Sequence, residues 1–387
     1  MMEEETTRIF PYQTTPFAVI VPRFSGSLSA IASSLIIVAI LKSDTKMKTV
    51  YHRIMFFMSC ADISGSIAMA LTTIPMPQHI SQEIMDLEWN LSFYEEWAGM
   101  KLGNTQTCEA QGFFYSFGVV SMYAYNAMLC IYYVCAIVFG MKEARIIKLV
   151  EPFLHLVAFT VGFGPAVFGL KNDLYNPSGW ETWCTPLPIG CNYNNEQEST
   201  CIRGMKAADA GYTKFLLLLL GLMAFVILTS LLTIIVKVIQ VDRTLRLHCT
   251  ILRTRIHGDF LAQHPFAARV HQHQSNTKVI LIQILCYIFA FVLTLIFPLI
   301  QALGFNPINN DRNFHIPTYV HILELVFMPL QGFFNFVSQH ASQSCSYGAV
   351  NYLFLEFEID WHYLTKPFCF HFCTYGTPST HHFLFLM

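Results

Sequence analysis

Asp62 stands in the run Ser59-Cys60-Ala61-Asp62-Ile63-Ser64, and no other Asp, Glu, Lys or Arg occurs between Arg53 and Glu83. A carboxylate in so apolar a stretch is costly unless hydrogen bonds or a counter-charge hold it, which makes it a functional candidate. Asn126, Asn335, Ser33 and Ser34 lie in similarly apolar runs. With Asp62 they form a candidate polar switch, able to hold a cation or a water chain and to rearrange between two states. The plainer alternative is a static network between helices, worth about a kcal/mol per bond. His321 and Glu324 are three residues apart and share one helix face. With Gln301 and Tyr319 they form a candidate ligand-contacting set, the other reading being that they pair with each other or with a neighbouring helix.

Other chemistry is missing. No paired catalytic carboxylates with a partner base, no phosphate-binding glycine loop and no metalloprotease His pair occur. The last apolar stretch has no lysine, which excludes a retinal Schiff base there. Cys369-Phe370-His371-Phe372-Cys373 invites a metal reading, but two Cys and one His lack a fourth ligand. The expectation is therefore no enzyme, no cofactor and no metal site.

The elements that position these residues follow from composition. Of 387 residues, 54% are hydrophobic and 12% charged, about half the charge of a soluble protein. The chain reads as all-α, an integral membrane bundle. A crossing helix needs about 20 mostly apolar residues, and seven such windows occur, at 18–41, 51–75, 111–139, 149–170, 213–238, 279–303 and 317–338. Three domains are expected: an extracellular N-terminus (1–16), the membrane bundle (17–338) and an atypical cytoplasmic tail (339–387). The tail is rich in Phe, Tyr, His and Cys, with Lys366 its one basic residue. Met1 to Glu5 is acidic where a cleavable signal would be basic.

Charge sets the orientation. Fourteen of the 23 Lys and Arg fall in the first, third and fifth loops, including Lys46, Lys48, Lys142, Arg145, Lys148 and Arg243. By the positive-inside rule that face is cytosolic and the N-terminus lies outside. The long fifth loop continues the fifth window with basic and apolar residues mixed, which suits a helical extension or an interfacial segment. Membrane lipid is the expected partner. The net charge of -2 gives no reason to expect nucleic acid.

Cys108, Cys184, Cys191 and Cys201 fall on the predicted outer face. In an oxidising compartment they suggest two disulfides with three possible pairings, each tying Cys108 to the loop that holds the other three. Zinc is the rival reading, but the spacings do not suit a short zinc knuckle. Asn90-Leu91-Ser92 is a glycosylation sequon on the same face.

In order and content these features resemble the seven-transmembrane G-protein-coupled receptor superfamily, over roughly residues 17–338. Asp62 takes the place of the span-two acidic residue of rhodopsin-like receptors, and Cys108 that of the cysteine heading span three. Leu330-Gln331-Gly332-Phe333-Phe334-Asn335 is similar to the seventh-span Gln-Gly-Phe signature of secretin-like and cyclic-AMP-receptor-like proteins. The first two spans resemble receptor-like proteins of protists and algae. Other positions depart: Ile131-Tyr132-Tyr133-Val134 stands where rhodopsin-like receptors carry Asp-Arg-Tyr. The resemblance implies a receptor for an unknown extracellular ligand, signalling to a heterotrimeric G protein. The alternatives are a seven-helix channel or transporter and a non-signalling scaffold.

Overall fold

The computed structural model describes residues 15–43, 45–87, 94–178, 181–191, 201–255, 286, 289–300 and 318–347. Six described helices are long and apolar enough to cross a membrane: Pro16–Lys42, Val50–Ala70, Thr105–Val138, Glu151–Lys171, Ala207–Val241 and Tyr319–Gln339. We call these spans 1, 2, 3, 4, 5 and 7. A shorter apolar helix, Phe289–Ile300, falls in the sixth expected window and is span 6. The molecule is a multi-pass membrane bundle.

Span 3 is the central column: 72% of its apolar window is buried inside the bundle, against 17% for span 5. It packs on spans 2, 4 and 5, while span 1 packs on spans 2 and 7. Close approach explains that position. A Cβ on Gly118 would overlap the backbone of Gly65, so spans 2 and 3 touch main chain to main chain. Such contacts suit membranes, where apolar burial gives helices no driving force to associate and small residues let van der Waals packing supply it.

Local signals start and break the helices. Asn104 Oδ1 accepts a hydrogen bond from the Thr107 amide at 3.0 Å, and Thr107 Oγ1 accepts one from the Asn104 amide at 2.7 Å, a capping box at the head of span 3. Thr49 caps span 2 by accepting from the His52 amide. Span 3 ends in a π-helical turn, Val134–Val138. Span 7 is interrupted at Pro329, where Thr318–Phe327 gives way to a 3₁₀ turn, Met328–Leu330, and then to Gln331–Tyr347. The fifth helix runs without a break from Lys206 to Arg255, 50 residues, or about 75 Å at 1.5 Å per residue. It thus forms the helical extension of the fifth loop. The last helix continues to Tyr347, past the expected start of the tail at 339, and residues 348–387 lie outside the described residues.

Between spans 4 and 5 the chain folds over the end of the bundle at which span 3 begins, as two hairpins. Strand β1 (Tyr175–Pro177) pairs with β2 (Cys184–Pro186), and β3 (Ile189–Cys191) with β4 (Cys201–Arg203), both antiparallel. Tyr175 is fully buried, seated where Gly112 and Gly169 leave no side chain in its way, and its hydroxyl donates to the Ala166 carbonyl at 3.0 Å.

Candidate functional site

Asp62 is buried where spans 1, 2 and 7 meet. Its Oδ2 accepts from Ser33 Oγ at 2.7 Å and from Ser29 Oγ at 3.2 Å. Ser29 Oγ in turn accepts from the Gly332 amide at 2.8 Å. Two of the expected switch residues, Asp62 and Ser33, therefore meet. Ser34 does not: it is exposed, and its hydroxyl donates to Ala30 O of its own helix at 2.7 Å. One residue along a helix turns the side chain by about 100°, which corrects the expectation that both serines join.

The two asparagines lie elsewhere in the core. Asn126 is buried and donates to Met122 O within span 3 at 3.1 Å. Asn335 accepts from Gln331 Nε2 at 3.1 Å, and Gln331 Oε1 accepts from Thr294 Oγ1 of span 6 at 2.5 Å. Sequence reading assigned no site role to Ser29 or Thr294, and placed Gln331 and Gly332 only in the seventh-span signature. The four-residue spacing of Ser29 and Ser33 was the available signal for the first.

A second group gathers toward the end of the bundle that the hairpins cover. His321 and Glu324 are both buried, 5% exposed each. One turn on from Glu324, Met328 Sδ accepts from the Tyr115 hydroxyl of span 3 at 3.9 Å. The Tyr115 ring lies 5.9 Å from the ring of Trp183, which the loop between spans 4 and 5 inserts fully buried. Glu181, two residues before Trp183, accepts from Ser178 Oγ at 2.6 Å, and burial pushes its carboxyl above the usual range. Glu181 and Glu324 lie within electrostatic reach of each other and of Tyr115. Tyr319 is 63% exposed and faces away from this group, a correction: two residues from His321 is more than half a helical turn. Gln301 and Asn90 lie outside the described residues.

The outer loop is fastened over this group. Disulfides join Cys108 to Cys184 and Cys191 to Cys201. Gln111, one turn below Cys108, accepts from the Cys184 amide at 3.1 Å and donates to Ala68 O and Thr72 O at 2.9 and 2.8 Å. Thr182 donates to Ala18 O of span 1 at 3.2 Å. Arg203 pairs with Glu109. Among the described residues no group of His, Cys, Asp and Glu is placed to hold a metal ion.

At the opposite end a charged network joins spans 2, 3 and 4. Arg53 of span 2 grips both carboxylate oxygens of Glu151 on span 4, with Nη2 to Oε2 at 2.7 Å, and donates to Met47 O. Glu143 accepts from the Val50 amide at 2.7 Å and from the Tyr132 hydroxyl of span 3 at 3.4 Å. This network occupies the end of span 3 at which the Asp-Arg-Tyr triad is missing.

The fold is similar to that of squid rhodopsin in its crystal structure, with a TM-score of 0.55 at 12% identity, covering 83% of this chain and 75% of that one. No protein-family model and no curated protein matches the sequence. The chain thus shares the fold of squid rhodopsin, a seven-helix membrane bundle.

Proposed function

We propose that the protein is a G-protein-coupled-receptor-like receptor of the plasma membrane, with its N-terminus outside and its C-terminus in the cytosol. An extracellular ligand binds among Tyr115, Trp183, Glu181, His321 and Glu324, and a heterotrimeric G protein reads the response on the inner face. One observation carries the reading. Span 7 carries both Glu324, buried in that group, and Gly332, whose amide donates to Ser29 Oγ at 2.8 Å beside Asp62, so one helix joins the group to the polar core. A ligand acts on such a core only by binding one packing better than the other. A ligand that hydrogen-bonds Glu324 shifts span 7, and through Gly332 the contacts of Asp62 with Ser29 and Ser33.

The inner end is compatible with signalling without an arginine on span 3. Arg53 and Glu151 hold spans 2 and 4 together there, and the fifth helix projects far beyond the hydrocarbon layer. The test is a cell-based G-protein reporter screened with ligand fractions. Glu324→Gln and Tyr115→Phe should lower ligand potency about tenfold or more at unchanged surface expression, the loss expected for one hydrogen bond to a charged group. Unchanged potency in both variants contradicts the proposed site.

A further inference from the structure

On the outward face of span 4 a line of large apolar side chains runs directly into three basic residues. Leu149, Phe153, Leu156, Phe159 and Phe163 are 70%, 64%, 61%, 49% and 42% exposed. Their spacing of four, three, three and four residues places them on one helix face. The short helix Glu143–Leu149 precedes span 4, and the hydrogen bonds from Val150 N to Ile146 O and from Leu154 N to Val150 O carry the helical path across the junction. Arg145 therefore lies one turn below Leu149 on the same face, with Lys142 and Lys148 beside it; all three are exposed.

The charges of this segment are sorted by sign. Glu143 turns inward to the Val50 amide and Tyr132, and Glu151 turns inward to Arg53. Ile146, fully buried, fixes which side of the short helix faces the bundle. Lys142, Arg145 and Lys148 point outward and form no ion pair among the described residues.

We propose that this face is a binding site for an anionic phospholipid, its phosphate and carboxylate held by Lys142, Arg145 and Lys148 and one acyl chain lying along Leu149, Phe153, Leu156 and Phe159. Three observations select this occupant. The apolar stripe is continuous with the acyl-facing surface of a membrane span. From Leu149 to Phe159 it measures ten residues, or about 15 Å at 1.5 Å per residue, half of a hydrocarbon core about 30 Å thick. The basic residues sit at the end of that half, at headgroup level, where polybasic segments attract anionic lipid. The inference stands apart from the receptor reading and needs only that span 4 crosses a bilayer.

Native mass spectrometry of the full chain in detergent, with equal amounts of palmitoyl-oleoyl phosphatidylserine and phosphatidylcholine, tests it. The wild type should retain phosphatidylserine about fivefold better or more, the order expected for one basic contact to an anionic surface. K142Q/R145Q/K148Q should lose that preference, whereas K237Q/R243Q, at the end of span 5, should keep it. Glycerophosphoserine, which has the headgroup but no acyl chains, should bind neither form. F153A/L156A should shed both lipids more readily. Lys237 is half-buried and the other substituted positions are exposed, so the variants should fold. Equal retention of the two lipids by the wild type, or an undiminished preference in the triple variant, overturns the proposal, and equal binding of glycerophosphoserine replaces the lipid with a simple anion site.

Discussion

Gly332 and Asp62 lie so close that a single added methyl group would part them: a Cβ at position 332 would overlap Asp62 Oδ2 and Ser33 Oγ. The glycine of span 7 is thus the surface against which the buried carboxylate of span 2 is held, and its amide completes the set through Ser29.

Gly332→Ala should therefore separate span 7 from spans 1 and 2. Overpacking of this kind costs about 1–3 kcal/mol, read as a fall in melting temperature of the purified protein. Ser34→Ala, on the exposed side of span 1, should leave the melting temperature unchanged. Equal effects of the two substitutions would remove the close approach from the account.

The two disulfides close very different lengths of chain, with sequence separations of 76 and 10 residues. In the chain-entropy picture this corresponds to roughly 4 and 3 kcal/mol. Cys108→Ser also frees the loop that carries Glu181 and Trp183, so surface expression and ligand response should both fall. Cys191→Ser with Cys201→Ser should reduce them less. Normal expression and response in Cys108→Ser would contradict the role of the first bridge.

The pair of Arg53 and Glu151 is largely shielded, with side-chain exposures of 21% and 9%. Glu151→Gln removes the counter-charge of Arg53 and should destabilise by about 1–3 kcal/mol, below the range for a fully buried pair because Arg53 keeps some contact with its surroundings. The exchange Arg53→Glu with Glu151→Arg should recover part of the loss, as seen in thermal unfolding. No difference between the single variant and the exchanged pair would show that the charges do not interact.

Glu181 gives a pH dependence with a definite sign. Burial raises its carboxyl pKa, so the folded protein favours the protonated form. The stability this contributes is present below the ordinary glutamate value of about 4.3 and is lost as pH rises through the raised folded value. Melting temperature should fall as pH is raised above the acid range, and should fall less in Glu181→Gln. A Gln variant with the wild-type pH profile would contradict the burial of the acid.

Much of this arrangement was legible in the residues. Asp62 stood out because a lone carboxylate in an apolar run needs partners, and Cys184, Cys191 and Cys201 because they share one loop on the same side as Cys108. Where sequence reading erred, helix geometry explains it. Ser34 adjoins Ser33 yet points to a different side, while Ser29, one turn away, is the serine that joins Ser33 on Asp62. Tyr319 likewise lies two residues from His321 and faces outward. Tyr115, Glu181 and Trp183 carried no sequence signal. Their meeting depends on how the hairpin of Tyr175–Pro177 and Cys184–Pro186 folds over span 3, a long-range contact that neither periodicity nor local charge reveals.

In the proposed function the bundle passes a conformational signal to a G protein through Asp62. The direct measurement is nucleotide exchange on purified heterotrimeric G proteins of each class, with the full chain in lipid nanodiscs, screened with and without ligand fractions. The account predicts exchange faster than the receptor-free rate for at least one class, and an Asp62→Asn variant of normal stability whose stimulation responds differently to sodium or pH. Exchange at the receptor-free rate for every class and fraction, together with ion flux through the same protein in liposomes, would contradict it.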